Sequence, residues 1–169
     1  LLGGAGADSL SGDGDDDTLE GGAGADTLEG GAGADTLRGG SGDDRIVVGS
    51  SSDGAGDVVD GGTGTDTLDL SALVDNVTVA YASATSGSGT VSFADSSTLE
   101  FSNIEAVELG SGGDSVAGGS GDDSVAGGAG ADTFVGGSGA DTFVGGSGAD
   151  TLEGGSGDDS LRGDSGDDS

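Results

Sequence analysis

Several residue types are missing from this chain of 169 residues, and each absence removes a class of function. There is no cysteine, so disulfide bonds and thiolate metal sites are excluded. Histidine is also absent, which together with the missing cysteine removes the usual protein ligands of zinc. Only Arg38, Arg45 and Arg162 are basic, against 33 acidic residues, and the net charge of −30 argues against nucleic acid and anionic membranes as partners.

Long apolar stretches are missing as well. No run approaches the roughly 18 residues of a membrane-spanning helix, and no signal peptide is recognisable. The chain begins and ends within a repeated pattern, which is expected of a segment from a longer array. With 42 glycines and a large negative charge, the composition alone is typical of a disordered chain.

The order of the residues contradicts that interpretation, because a nine-residue unit recurs: Gly-Gly-x-Gly-x-Asp-x-(large apolar)-x. We number its positions as phases one to nine. Glycine, aspartate and the apolar residue each keep their phase, which random low-complexity sequence does not do. This regularity predicts a chain that is folded with metal and disordered without it. The units begin at Gly3, Gly12, Gly21, Gly30, Gly39, Ser52, Gly61, Leu109, Gly118, Gly127, Gly136, Gly145, Gly154 and Gly163.

A single unit, residues 21–29, shows what the pattern dictates. Glycines at phases one, two and four permit backbone angles that a Cβ forbids, so the chain can curl and turn its carbonyl groups inward. The aspartate at phase six adds a short carboxylate beside those carbonyls. Such an all-oxygen set suits Ca²⁺, whereas Mg²⁺ prefers a strict octahedron and keeps its waters. Thr27-Leu28-Glu29 then predicts a three-residue strand with Leu28 on the buried face.

With these motifs in register, the chain resembles the RTX (repeats-in-toxin) family of secreted bacterial proteins, as in serralysin-like and lipase-like proteins and RTX adhesins. The resemblance covers Gly3 to Val47, Ser52 to Asp69 and Leu109 to Ser169. It implies an all-β fold, a parallel β-roll with about 18 residues in each coil, in two blocks joined by an irregular β-coil or hairpin insert. The expected division is 1–69, 70–108 and 109–169.

The resemblance also implies that unit n stacks on unit n+2 and that each Ca²⁺ lies between two stacked turns. Counting such pairs gives about eight to ten Ca²⁺ ions. The carboxylate ligands implied at phase six are Asp8, Asp17, Asp26, Asp35, Asp44, Asp57, Asp66, Asp114, Asp123, Asp132, Asp141, Asp150, Asp159 and Asp168. The turn glycines implied at phases two and four are Gly4, Gly6, Gly22, Gly24, Gly31, Gly33, Gly40, Gly42, Gly119, Gly121, Gly128, Gly130, Gly137, Gly139, Gly146, Gly148, Gly155 and Gly157.

Two units depart from the pattern, and the stacking makes two further predictions. Asp13 stands where glycine is usual at phase two, and the unit at Ser52 follows an insertion over 48–51 and has an altered glycine pattern. Glu20 and Arg38, at phase nine of units n and n+2, are expected side by side on one sheet. Phe134 and Phe143, in consecutive units, are expected to face each other across the interior; a ligand site made by these two rings is the alternative.

Residues 70–108 follow a different pattern. The alternation of apolar and polar residues in 77–81, 91–93 and 99–101 predicts ordinary strands, with a loop over 83–89. We expect a wider β-coil that is continuous with the solenoid and covers the ends of both blocks. A separate binding module is the alternative.

A catalytic site is not expected in this segment, although a catalytic domain elsewhere in the parent protein is compatible with it. A serine nucleophile has no histidine or lysine to serve as its base. Adjacent carboxylates such as Asp43 and Asp44 suggest glycoside hydrolysis, but they stand at phases five and six of a metal turn. A bound cation would hold them ionised and unfit as general acids. Glu100, Glu105 and Glu108 are interpreted as solvated residues on strand faces.

The leading hypothesis is a calcium-binding roll of a secreted bacterial protein, located outside the cell or on its surface. The RTX resemblance implies passage through a type I secretion machinery and folding on Ca²⁺ outside the cell. The expected partners are calcium, that machinery, and neighbouring copies or an adjacent catalytic or adhesive domain. One alternative is a structural segment of an adhesin, surface layer or filament. Ice binding is a minor alternative, since only Thr63 and Thr65 supply the threonine row that it needs.

Overall fold

Short β-strands make up the regular structure of this chain. The computed structural model describes residues 1–82 and 87–169, and within them every regular element is a strand. None of these described residues forms a helix that would span a membrane. The strands are β1 (Leu2–Ala5), β2 (Ser9–Ser11), β3 (Thr18–Ala23), β4 (Thr27–Glu29), β5 (Thr36–Ser41), β6 (Arg45–Val47), β7 (Val58–Thr63), β8 (Thr67–Asp69), β9 (Thr78–Tyr81), β10 (Gly89–Ser92), β11 (Thr98–Ser102), β12 (Ala106–Glu108), β13 (Ser115–Ser120), β14 (Ser124–Ala126), β15 (Thr133–Ser138), β16 (Thr142–Ser147), β17 (Thr151–Ser156) and β18 (Ser160–Ser165).

The strands form two long sheets, which the chain visits alternately except at β9, β10 and β11. The first sheet has the order β1-β3-β5-β7-β11-β10-β9-β13-β15-β17, and the second has the order β18-β16-β14-β12-β8-β6-β4-β2. Within the repeats each strand pairs in parallel with the strand one coil away, so that Leu19 lies beside Leu37 and Leu28 beside Ile46. The predicted stacking of unit n on unit n+2 is therefore confirmed, as a parallel β-solenoid of about nine coils.

Many strands are longer than the sequence-based expectation, including β16 and β18 of the second sheet. The predicted three-residue strand is found as β4, but β3 and β5 each run for six residues. Their pairing continues into the glycine half of the unit, with Gly22 opposite Gly40. Glycine makes this possible because it has no Cβ, which allows the backbones of successive coils to approach closely while the chain begins its turn.

The insert continues both sheets. β9, β10 and β11 form an antiparallel meander in the first sheet, whose outer strands pair in parallel with β13 and β7. In the second sheet β12 lies between β8 and β14. The three predicted strands are confirmed, and the β-coil is continuous with the solenoid as expected. Of the predicted loop over 83–89, residues 83–86 lie outside the described residues and Gly89 already belongs to β10.

The apolar residues of phase eight fill the space between the sheets. Leu19, Leu28 and Leu37 are fully buried, and Leu161 of the edge strand β18 is 42% exposed. The rings of Phe134 and Phe143 have centroids 5.3 Å apart and planes tilted by 34°, as the sequence predicts for residues that face each other across the interior. Each coil therefore contributes only a thin slice of core.

The outer faces carry the charged residues. Glu20 and Arg38 are confirmed as lateral partners, although no ion pair joins them in the described part of the chain. Arg45 makes the closest contacts, since one guanidinium nitrogen lies 2.7 Å from both Asp69 and Glu108. Asp69 and Glu108 are opposite each other on β8 and β12, so Arg45 screens two like charges where the insert joins the first block.

Candidate metal centre

The phase-six aspartates form two ladders, one along each edge of the roll. In each step one carboxylate oxygen accepts a hydrogen bond from the backbone amide of the residue one coil earlier; Asp26 N donates to Asp44 Oδ1 at 2.8 Å. The aspartates that accept such a bond are Asp26, Asp35, Asp44, Asp57, Asp66, Asp114, Asp132, Asp141, Asp150, Asp159 and Asp168. The stacking thus fixes the orientation of each carboxylate.

The Oδ2 atom of most phase-six aspartates has no partner. It is buried and makes no hydrogen bond within the described residues in Asp8, Asp26, Asp35, Asp44, Asp66, Asp114, Asp123, Asp132, Asp141 and Asp150. Among the other predicted ligands, Asp17, Asp57, Asp159 and Asp168 lack this feature, and Asp168 is exposed. A buried oxygen of a carboxylate without a partner is costly, and a bound cation would remove that cost.

Backbone carbonyl groups line the gaps between stacked turns. Every predicted glycine of phases two and four has a positive φ, between 86° and 149°. A Cβ added at Gly24 would collide with the carbonyl oxygen of Gly6 in the preceding coil, and one at Gly22 would collide with that of Gly4. The turns therefore need glycine for both their backbone angles and their close stacking, and each gap contains carbonyl oxygens beside the carboxylates.

Burial makes Asp57, Asp66, Asp123 and Asp132 hard to ionise without a counter-ion. It raises the pKa of Asp57, Asp66 and Asp132 to about 6 each and that of Asp123 to about 7. For Asp123 the neighbouring charge of Asp141 adds to the effect. A cation between the turns would reverse both causes, because it replaces the lost hydration and offsets the repulsion between neighbouring carboxylates.

The donor set fits a hard cation of flexible coordination. No group of three or more acidic side chains suited to a metal occurs among the described residues, so the ligands must combine carboxylates with backbone carbonyls. Oxygen ligands of these two kinds, about six to eight around one ion, are those of Ca²⁺.

The two irregular units keep the geometry of their neighbours. Asp13 has φ 68°, the conformation of the glycine that it replaces, and a Cβ at Gly31 would collide with its carbonyl oxygen. In the unit at Ser52, Asp57 Oδ1 accepts the amide of Asp35 at 2.8 Å, although the connection from β6 to β7 is four residues longer than in a regular unit. The altered sequences therefore leave both steps of the ladder in place.

One member of the ladder was not predicted from the sequence. Glu105 Oε2 accepts the backbone amide of Asp66 at 2.8 Å, so Glu105 takes the place of a phase-six aspartate in the insert. Glu105 is exposed, as the sequence analysis expected, but this hydrogen bond was not predicted. The sequence signal that could have placed Glu105 in the ladder is the next segment, Ala106-Val107-Glu108. It repeats the small-apolar-acidic order of Thr67-Leu68-Asp69 and pairs with it.

Comparison with known proteins agrees with this geometry. The family model of the RTX calcium-binding nonapeptide repeat matches four times, at residues 1–28, 20–55, 109–143 and 135–169, which together cover more than half of the chain. No curated protein matches the chain significantly. The matched residues include most of the phase-six aspartates of the two ladders, although Asp57 and Asp66 lie outside them. The chain belongs to the RTX family of calcium-binding nonapeptide repeats.

Proposed function

We propose that this segment is a calcium-dependent folding element of a secreted bacterial protein, unfolded at low Ca²⁺ and folded at the millimolar Ca²⁺ outside the cell. The observation that supports it most directly is the row of buried carboxylate oxygens without partners along both edges of the roll. At neutral pH an isolated buried carboxylate strongly opposes folding, whereas a coordinated one favours it.

The thin core makes metal necessary. Each nonapeptide buries one large apolar side chain, while nine residues rich in glycine must be ordered at about 1–2 kcal/mol each for the backbone alone. The carboxylates within each ladder also repel one another. Ca²⁺ supplies coordination energy that is present only in the folded state, and so shifts the equilibrium toward the roll.

The proposed ligands are the buried Oδ2 atoms of the phase-six aspartates and the carbonyl oxygens of the phase-two and phase-four glycines. These residues bind and position the ions, and the hydrogen bond to Oδ1 leaves the other oxygen of each carboxylate free for the metal. About eight to ten ions are expected for the whole segment. The proposed division is two calcium-binding blocks, 1–69 and 109–169, connected by residues 70–108.

The cellular role follows from the same switch. An unfolded polyanion at low Ca²⁺ is suited to passage through a type I secretion machinery, and folding outside the cell prevents its return. RTX repeats are typical of secreted proteins, which supports an extracellular or cell-surface location. We propose no catalytic role for this segment; an activity would belong to a neighbouring domain.

Far-UV circular dichroism of the metal-free chain tests the proposal. We expect a disordered spectrum after metal removal, and a strand spectrum when millimolar Ca²⁺ is added. An equal concentration of Mg²⁺ is the control and should have little effect, because Mg²⁺ gives up its waters reluctantly. A strand spectrum that is the same with and without Ca²⁺ would refute calcium-dependent folding.

A structural role in an adhesin, surface layer or filament is the second candidate. Outward apolar residues on the sheets support it, since Val135 is 41% exposed and Val47 and Val144 are partly exposed. Light scattering of the chain in Ca²⁺ distinguishes the two roles. Growth of particle size with chain concentration favours the structural one, and a constant monomer mass favours a folding element alone.

A further inference from the structure

The turn at 72–77, which connects β8 to β9, lies outside the repeat pattern but stacks directly on the first turn of the second block, 109–114. Its sequence, Ala-Leu-Val-Asp-Asn-Val, contains no glycine and no phase-six aspartate. The family model does not match there. The stacked neighbour on the other side of 109–114 is an ordinary repeat turn, 127–132, which provides an internal standard.

The hydrogen bonds of the two stacks correspond one by one. Ser111 N donates to Leu73 O at 2.9 Å, as Ala129 N donates to Gly110 O at 2.9 Å. Ser115 N donates to Val77 O at 3.0 Å, as Thr133 N donates to Asp114 O at 2.8 Å. Leu73 and Val77 therefore occupy phases two and six of a turn whose sequence does not show it.

The carbonyl groups of the non-repeat turn also lie where repeat carbonyls lie. A Cβ added at Gly110 would collide with Leu73 O, and one at Gly112 would lie 2.6 Å from Asp75 O. In the standard stack, Cβ atoms at Gly128 and Gly130 would collide with the carbonyl oxygens of Gly110 and Gly112 in the same way. Leu73 O and Asp75 O thus replace the carbonyls of phases two and four.

Asp114 supplies the carboxylate of this gap. It is 2% exposed, and its Oδ1 accepts the amide of Val77 at 2.8 Å, the same distance as from Asp114 N to Asp132 Oδ1. Its Oδ2 is buried without a partner. A buried carboxylate oxygen without a partner, in a turn that stacks on the carbonyl oxygens of Leu73 and Asp75, is the arrangement that the repeat turns present, and it needs a ligand for the same reason.

We infer that the turns 72–77 and 109–114 hold a further Ca²⁺ ion, ligated by Leu73 O, Asp75 O and Asp114 Oδ2. The inference rests on the proposed calcium binding of the repeats. Val77 stands where a repeat would place a second carboxylate, so this ion has one negative ligand fewer than its neighbours. Because affinity for Ca²⁺ rises with ligand charge, the site fills after the repeat sites and ties the insert to the second block.

Terbium luminescence in the full chain tests this site. Tb³⁺ replaces Ca²⁺ at oxygen sites and emits when an excited indole lies nearby. The chain has no tryptophan, and Val74 is 73% exposed within the turn, so Val74→Trp introduces a local sensitiser with little effect on folding. Excitation at the red edge of the indole band avoids Tyr81. In this background Asp114→Asn should abolish most of the emission, and Asp132→Asn, which affects the neighbouring repeat site, should preserve most of it.

Ion counts by native mass spectrometry complete the test. Asp114→Asn removes the one carboxylate of this gap and one of two in the gap to 127–132. It should therefore bind one Ca²⁺ ion fewer at a concentration that still fills the repeat gap, while keeping its strand spectrum at high Ca²⁺. Emission that survives Asp114→Asn and disappears in Asp132→Asn would place the ion in the repeat stack and overturn the inference. An unaltered chain that binds no Ca²⁺ would instead contradict the proposed function itself.

Crystals of the unaltered chain grown with Tb³⁺ decide the question without any substitution, should Asp114→Asn not fold. An anomalous peak between Leu73 O, Asp75 O and Asp114 Oδ2 supports the site. Peaks confined to the gaps between repeat turns overturn it.

Discussion

At the scale of single residues, the glycine that opens most units, though not those at Ser52 and Leu109, has a role that its backbone angles do not reveal. Gly21 lies outside the positive-φ region, so an alanine could adopt its conformation. Yet a Cβ at Gly21 would lie 2.5 Å from Asp26 Oδ2 and 2.7 Å from Gly39 O. The absent side chain leaves the space in which the carboxylate of the same unit turns toward the gap.

Gly21→Ala should therefore displace the Asp26 carboxylate and abolish one calcium site. We expect one bound ion fewer, and a loss of about 1–3 kcal/mol in the free energy of unfolding at saturating Ca²⁺, as for other overpacked positions. Gly14→Ala is the matched control, because Gly14 also lies outside the positive-φ region and a Cβ there would lie 3.7 Å from its nearest neighbour, Ala32 O. Native mass spectrometry and urea unfolding measure both effects. Equal ion counts for Gly21→Ala and the unaltered chain would contradict the role assigned to this glycine.

The raised carboxyl pKa values predict how the metal-free chain responds to pH. Asp123 has a folded pKa of about 7, and Asp57, Asp66 and Asp132 of about 6, against about 3.9 in an unfolded chain. The folded state therefore binds more protons, so its stability is greatest below about pH 4 and declines as the pH rises through 6 to 7. In Ca²⁺ the dependence reverses, because the ligands must be ionised.

Circular dichroism of the metal-free chain measures the effect. The metal is removed with a chelating resin, because the affinity of a soluble chelator would itself change with pH. We expect strand signal to increase as the pH falls from about 8 to about 4. Relief of general charge repulsion would act in the same direction, but salt screens it far more than it screens buried carboxyls. The series is therefore repeated in concentrated NaCl. A pH response that disappears in salt would attribute it to surface charge.

At the scale of elements, consecutive strands from opposite sheets share a core one side chain thick. Phe134 of β15 and Phe143 of β16 meet in the interior, and both are fully buried. The nine-residue period predicted this contact, because residues of the same phase in successive units must face one another. The six-residue length of β3 and β5 was not predicted, since glycine propensity argues against strand pairing and only the stacked backbones show it.

Phe143→Ala should cost about 3–5 kcal/mol in the free energy of unfolding at saturating Ca²⁺, because a core this thin cannot collapse around the cavity. Val135→Ala provides the control on the outer face of β15, where the side chain is 41% exposed and the change should stay within about 0.5 kcal/mol. Urea unfolding in excess Ca²⁺ compares the two. A cost for Phe143→Ala as small as that for Val135→Ala would show that calcium coordination, and not the core, limits stability at this level.

At the scale of the whole molecule, the repeats were predictable and the insert only in part. The nine residues of a unit such as 21–29 identify its turn, its metal ligand and its core residue, so the roll and the aspartate ladders could be predicted from the sequence. Glu105 and the turn 72–77 continue those ladders without the motif. They are equivalent to repeat turns because they stack on repeat turns in the folded chain. A motif search along the sequence does not reveal this stacking. The three strands of the insert and a hairpin as one possible arrangement were predicted, but not the three-stranded meander or its place in the first sheet.

The insert also decides whether the two blocks unfold together. Linear arrays lose cooperativity when one interface between neighbours is weak. Here the first sheet passes from β7 through β11, β10 and β9 to β13 without a break.

Leu99 of β11 is fully buried at this connection, so Leu99→Ala should cost about 2–5 kcal/mol in the free energy of unfolding. Because both blocks depend on the same connection, we expect amide protection in 1–69 and in 109–169 to decrease in parallel when hydrogen exchange is measured in Ca²⁺. Leu37→Ala, in the first block, is the comparison and should reduce protection there at least as much as in the second. Loss of protection in one block while the other stays unchanged in Leu99→Ala would mean that calcium holds each block independently and that the insert only spaces them.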